Sequence, residues 1–348
     1  MKITLGEVGT YINGYAFKPS DWGTSGLPII RIQNLTNQNT IPNYFDGPYN
    51  SKFEVNKGDI LIAWSGSLGI YVWQKNKALL NQHIFRVEFN KCEIDKMYFY
   101  YAVKHNIHKM LHLTHGATMR HIIKSDFEQI IIPYPSLDVQ AKISKILNYL
   151  EQNIIYYRTI LSKLELLIKS RFVEMFGTFN ANSTNINTIK FKDLIEQNKI
   201  NKEDGIWLLN LDMIKPNTGE IIEKVYINSQ NIPTSSISFK KGDVLYSKLR
   251  PYLNKVVIAD ENGFGTSELI PLNSYKCGLN AEYLAYYLRQ DSFVEYIKDK
   301  VSGAKMPRVS MDVLRNLDID RPNYISQKQF SNFVYQINKL KFAQIVYN

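Results

Sequence analysis

The sequence predicts an α+β chain: two similar domains of mixed strands and helices, separated and joined by long helices that pair as an antiparallel coiled coil about a pseudo-twofold. Three observations predict it. Short motifs recur in the same order in both halves, each half closes on a helical pattern, and the first of these helices holds a sustained 3-4 apolar step.

The recurrence begins at Lys57-Gly58-Asp59-Ile60-Leu61, which returns 184 positions later as Lys241-Gly242-Asp243-Val244-Leu245. "DKMYFYYAV" (Asp95–Val103) matches "NAEYLAYYL" (Asn280–Leu288) at an offset of 185. Gly116–Pro135 matches Gly303–Pro322 at 187, with Gly, Ala, Met and the last Pro coinciding. In that stretch Phe127/Leu314, Ile130/Leu317 and Ile132/Ile319 stay in phase, and beyond it Gln140 stands against Gln327. Nearer the start, "LGEVGT" resembles "FKDLIE", and Ile29–Leu35 resembles Trp207–Met213. Matches in one order along both halves imply a duplicated scaffold, and units of this size are domains, not stacking repeats. The expected division is a first domain at 1–135, a spacer helix at 136–177, a second domain at 178–322 and a second spacer helix at 323–348.

Within the first domain "GDILIAW" and "HIFRVEF" read as strands punctuated by Gly and Asn. Asp95–Leu113 reads as a helix, with Tyr98, Tyr101, Ile107 and Leu111 on its apolar side. "QIIIPYP" is a short buried strand closed by proline, which cannot donate to a ladder. After Pro135 the apolar positions are Ile143, Leu147, Leu150, Ile154, Tyr157, Leu161, Leu164 and Ile168. They step by 4 and 3 in alternation, a heptad seam for packing lengthwise on another helix. The pattern runs to Phe176 and stops at Gly177, a common C-terminal stop. About 40 residues make a rod of roughly 60 Å. The second helix starts at Asn323, presents Phe330, Val334, Ile337 and Leu340, and reads about fifteen residues shorter than its counterpart.

Lys and Arg number 42 against 32 Asp and Glu, a formal charge of +10. Such an excess favours a polyanionic partner through counterion release, or else reflects a basic, soluble surface. No apolar run approaches the roughly 18–20 residues that span a bilayer, and "MKITLGEVGTYING" lacks the apolar core of a secretory signal. A cytoplasmic protein without a membrane partner is expected. Cys92 and Cys277 occupy equivalent places in the two halves, so neither a disulfide nor a zinc site is expected from them.

Two similar basic domains separated by a rod match the layout of DNA binders that read two half-sites. Arg, Lys, Asn and Gln bridge phosphates or read base edges. Half one offers Arg31, Gln33, Asn34, then Ser65 and Ser67 after the Gly-Asp strand, and Thr118, Arg120, His121 and Lys124 around the Gly-Ala-Thr-Met turn. Half two offers Lys248, Arg250, Asn254, Lys255, Lys305 and Arg308. Taken singly, each is equally a solvated surface group; their clustering beside repeated turns favours DNA.

Catalytic signals are absent. No Walker-type or dinucleotide-type glycine loop occurs, and no glycine-rich turn after the first strand suggests an S-adenosylmethionine pocket. "IPYP" (Ile132–Pro135) lacks the Asn or Asp and the paired prolines of a methyltransferase motif. The Asp and Lys of "GDVLYSK" have no acidic partner at a metal-nuclease spacing. His105, His108, His112 and His115 fall within about 80° of a helix, a geometry able to hold a metal. The second half has no matching histidines, so the scaffold does not require them and a polar face is the reading adopted. No catalytic residue, cofactor or metal is expected.

The chain resembles the specificity subunits of type I restriction–modification systems over nearly its whole length. The resemblance rests on Gly58–Leu61 and Gly242–Leu245, Asn81-Gln82-His83 entering a strand, Gly116–Met119, and above all "IIIPYPSLDVQAKI" leading into the long helix. The second half departs from it, with Asp320-Arg321-Pro322 for the Pro-x-Pro at 133–135 and no Ser-Leu after it. The resemblance implies two target recognition domains, each reading one half of a split, asymmetric double-stranded DNA sequence. It implies helices that pair antiparallel, fix the gap between half-sites and dock two adenine methyltransferase (modification) subunits. Methylation and ATP-driven cleavage would then belong to those subunits and to restriction/translocase subunits. A stand-alone DNA-binding regulator, or the specificity part of a related defence system whose partner both cuts and methylates, remain alternatives.

Overall fold

The structure, a computed structural model, describes residues 1–37, 39–112, 121–180, 187–196, 199–201, 205–303 and 305–346, with side chains described outside 108–112 and 343–346. The chain divides into two compact units, Met1–Tyr156 and Tyr157–Asn348. The division falls inside a helix of 40 residues, Leu137–Phe176.

The first unit holds two four-stranded sheets. In one, Thr10–Asn13, Ile84–Glu88, Ile60–Ala63 and Gly69–Val72 follow one another antiparallel. In the other the order is Tyr44–Phe45, Leu27–Ile30, Ala78–Leu80, Glu54–Val55, and the central pair is parallel. The second unit repeats that order with Val225–Ile227, Ile206–Leu209, Gly263–Gly265 and Ile237–Phe239, again with a parallel central pair. Its second sheet has three strands, Val256–Ile258, Val244–Ser247 and Leu269–Leu272. There the single bridge Ile195–Leu272 stands where Thr10–Asn13 forms a full strand in the first unit. Lys2–Thr4 with Ile131–Pro133, and Thr188–Lys190 with Asp318–Asp320, close the two units in the same way. The motifs read as a duplication therefore fold as one.

The Lys-Gly-Asp motif explains its own recurrence. Gly58 and Gly242 sit at φ +92° and +91°, a region costly for any residue with a Cβ. The following Asp turns its carboxylate back to accept the N–H of Asn56 or Lys240, both at 2.8 Å. The backbone then leaves on a strand covered on both faces. Ile60 and Ile62 pack with Phe85, Phe99 and Phe127, while Leu61 faces Ile30, Val55 and Leu80. Val244 and Tyr246 likewise join one cluster and Leu245 another. A strand buried on both sides reads as an unbroken apolar run, which is why the two motifs share branched aliphatics and Leu. Gly242→Ala is expected to cost about 1–2 kcal/mol from the left-handed backbone alone, read as a lower urea midpoint with an unchanged slope.

The paired glutamines are structural. Gln140 accepts the Asp95 N–H at 3.0 Å and donates to the Pro135 carbonyl at 2.8 Å. Gln327 accepts the Asn280 N–H at 2.8 Å and donates to the Pro322 carbonyl at 2.8 Å. Both are fully buried. Each ties the first turn of its helix to the start of an earlier helix, Lys96–His112 or Ala281–Leu288. Tyr98 and Tyr283 add equivalent bonds, donating to the carbonyls of Pro133 and Asp320 at 2.9 and 3.0 Å.

The C-terminal helix, Tyr324–Val346, runs antiparallel to the part of the long helix that lies in the second unit. The Phe172 and Phe330 rings meet edge to face at 5.2 Å, and Lys341 reaches back to Glu165. Leu164 and Ile168 pack there with Phe330, Val334 and Ile337, as the heptad pattern requires. Tyr157 and Leu161 are half-buried. In the first unit Ile143 and Leu147 are half-buried, while Leu150 and Ile154 are about half exposed. Leu340 is also exposed. The seam is thus packed around Leu164 and Ile168 in the second unit, half-covered at Ile143, Leu147, Tyr157 and Leu161, and open at Leu150 and Ile154.

Candidate nucleic-acid interface

In both units the fold brings together two motifs that lie far apart in sequence. The strand after Lys-Gly-Asp ends in a loop, and the segment that follows the Gly-Ala-x-Met motif in sequence pairs with that loop through the backbone. In the first unit Ile122 donates to the Trp64 carbonyl at 3.0 Å, and Ser65 bridges His121. In the second, Val309 donates to the Lys248 carbonyl at 3.1 Å, Arg250 donates to the Pro307 carbonyl at 2.8 Å, and Leu249 bridges Arg308.

Around the first loop, Ser67 is exposed at a turn begun by Gly66, while Ser65 is buried. Trp64 stacks on Phe85 and meets His83 edge-on, its indole N–H donating to Asn13 at 3.2 Å. Burial pushes the His83 pKa down, which favours the neutral ring beside Gln82 at 3.0 Å. His121 is half-buried; Lys124 is exposed, donates to the Tyr11 carbonyl at 3.2 Å and lies 3.7 Å from Glu128. Thr118 and Arg120 lie outside the described residues. Elsewhere in the unit Gln33 is exposed, and Arg31 lays its guanidinium over the Trp22 ring at 4.6 Å. Asn34 is buried, accepting the Arg31 N–H at 3.0 Å and donating to the Thr40 carbonyl, so it holds the turn that presents Arg31.

The second loop is more basic. Arg250 is exposed and left-handed (φ 48°, ψ 58°) directly before Pro251. Both features are unfavourable for a residue with a side chain. Strain of this kind persists only where the surroundings impose it, here through Pro307 and through the Leu253 N–H donating to the Arg250 carbonyl at 2.9 Å. Lys248 is half-buried and Lys305 exposed, and neither they nor Arg250 form an ion pair with a described residue. Arg308 is held by Glu268 at 2.9 Å. Asn254 is buried and donates to the Arg289 carbonyl at 3.0 Å. Lys255 donates to the Leu211 carbonyl, and burial pushes its pKa down. Asn254 and Lys255 therefore shape the loop from beneath, while Lys248, Arg250 and Lys305 supply free cations. Tyr252, exposed in the same turn, and Trp22 join the basic residues without being among the groups expected from the sequence. The signal available for each was an aromatic close to a basic residue.

Among the described residues no cluster of His, Cys, Asp or Glu is arranged to hold a metal ion. The quartet His105, His108, His112 and His115 falls largely outside the described side chains. Cys92 and Cys277 are free thiols. No helix among the described residues is long and apolar enough to cross a membrane.

A family model described as the type I restriction modification DNA specificity domain matches residues 1–166. The specificity subunit of the MjaVIII type I restriction enzyme from Methanocaldococcus jannaschii is 25% identical over 324 residues, spanning 84% of this chain and 75% of that protein. The chain is thus similar to type I restriction–modification specificity subunits, by the family model over its first half and by this relative over most of its length. The Escherichia coli EcoBI specificity subunit is 27% identical over 152 residues, which cover 43% of this chain and 32% of that protein. The S subunit structure from M. genitalium shares the fold with a TM-score of 0.60 at 14% identity, covering 100% of this chain and 91% of the other.

Proposed function

We propose that this chain is the non-catalytic DNA-recognition subunit of a type I restriction–modification complex, acting in the cytoplasm on double-stranded DNA. Each unit reads one half of a split, asymmetric sequence, through domains at 1–135 and 178–322. Two adenine methyltransferase subunits and the restriction/translocase subunits dock on the chain and carry out the chemistry. The spacer helices, 136–177 and 323–348, fix the gap between the half-sites. One observation carries this reading: the same anchored loop occurs in both units with unlike side chains, Ser65, Ser67 and His121 in one and Lys248, Arg250 and Arg308 in the other. A repeated frame with differing polar contents suits two different base sequences at equivalent places.

Co-expression with the cognate methyltransferase subunit tests it. The complex is expected to purify with two methyltransferases per chain and to mark adenines in a two-part motif with a constant gap. Removing about two heptads from Ile143–Ile168 is expected to change the gap and leave both half-sequences as they were. Tight binding to one compact site without a partner would instead make the chain a stand-alone regulator. No methylated motif and no DNA binding would end the proposal altogether.

A further inference from the structure

The duplication supplies an internal control for one buried cation. In the first unit Lys104, on the helix Lys96–His112, is matched to a carboxylate. Its ammonium lies 2.5 Å from Glu151, and the Tyr101 hydroxyl donates to the same carboxylate at 2.9 Å. The repeat offset of 185 places Arg289 and Tyr286 at the equivalent positions of the second unit. The helix offset of 187, set by Gln140 and Gln327, places Asn338 where Glu151 stands. The carboxylate is gone and the cation remains.

What replaces the carboxylate is a cleft of about 830 Å³ within the second unit, lined by Arg289, Tyr286 and Asn338 among others. Arg289 is more than nine-tenths buried. It stacks on the Tyr286 ring at 4.5 Å and donates to the carbonyls of Ala285 at 3.2 Å and Thr218 at 3.0 Å. The turn carrying Thr218 folds closely over it. Gly219 is left-handed (φ +72°), and a Cβ there would stand 2.7 Å from the guanidinium carbon. The lysines lining the cleft all have acidic partners: Lys169 with Asp291, Lys215 with Glu220 and Lys341 with Glu165. Arg289 has none among the described residues, although the Glu165 charge reaches it. A buried charge without a counter-charge is costly, and a guanidinium can hold a carboxylate through two parallel hydrogen bonds, the group that Glu151 supplies in the first unit.

We propose that this cleft binds a small carboxylate-bearing molecule, its carboxylate on Arg289 where the first unit uses Glu151. The volume suits a free small molecule rather than a flat protein contact. Thermal unfolding of the full chain in sodium succinate, against sodium chloride at matched ionic strength, is the test. Succinate at about tenfold its Kd is expected to raise Tm by about 3 °C over chloride. Asn338→Glu restores the carboxylate in place. It is expected to raise Tm without succinate and to abolish the succinate response, while Asn338→Gln leaves both as in the parent. Equal Tm values in succinate and chloride would overturn the proposal. So would an Asn338→Glu chain that still responds to succinate.

Discussion

Replacing Arg250 by glycine is expected to make the chain more stable and, on the proposed function, a weaker DNA binder. The residue is left-handed and precedes a proline, and its backbone bonds to Pro307 and Leu253 hold it there. The left-handed conformation costs an L-residue about 1–2 kcal/mol, which glycine escapes. Glycine gives back about 0.5–1 kcal/mol through the greater freedom of its unfolded chain. A net gain of about 0.5–1 kcal/mol should therefore appear as a higher urea midpoint. The guanidinium is exposed and unpaired, so its loss is expected to weaken binding of the cognate duplex by about 1–3 kcal/mol, tenfold or more. Arg250→Lys keeps the strain and the charge, and should leave stability alone while losing only part of the affinity. A less stable glycine variant would refute the strain argument, and an unchanged Kd would remove Arg250 from the interface.

Gln327→Leu is expected to destabilise the second unit by about 3 kcal/mol, although leucine nearly matches the volume. The side chain is fully buried and answers the Asn280 N–H and the Pro322 carbonyl, with a longer bond to Gly278 at 3.3 Å. Leucine leaves those backbone groups without partners, at about 1–3 kcal/mol for each that water does not reach. Gln140→Leu should do the same to the first unit. Denaturation followed by Trp207 fluorescence, a reporter buried in the second unit, should shift with Gln327→Leu. A shift under 1 kcal/mol would mean that water replaces the glutamine.

The duplicated scaffold was legible because its causes are local and leave marks at fixed spacing. A left-handed turn requires the glycine of Lys-Gly-Asp, a strand buried on both faces requires aliphatics after it, and a helix fastened at its first turn keeps Gln140 or Gln327. The candidate site was legible only as a neighbourhood. Asn34, Asn254 and Lys255 stood among the groups expected to face DNA, yet their polar atoms serve the chain's own backbone. Residue type does not reveal this, since an amide suits a peptide carbonyl as well as a base edge. The partner of Asn254 lies 35 positions away and that of Arg308 lies 40 away, beyond the reach of any local pattern. The long helix shows the same division: its seam could be read from 143 to 168, but not that Leu150 and Ile154 stay open while Ile168 is fully buried.

The loops after the two Lys-Gly-Asp strands are fastened by main-chain hydrogen bonds, Ile122 to Trp64 in one unit and Val309 to Lys248 in the other. Such bonds ask nothing of the side chains they join. The exposed residues of these loops, Ser67 in one and Arg250 in the other, can therefore change without breaking the bonds that fasten them. On the proposed function, each unit could change the sequence it reads at this loop by itself, while the frame that carries the loop is kept.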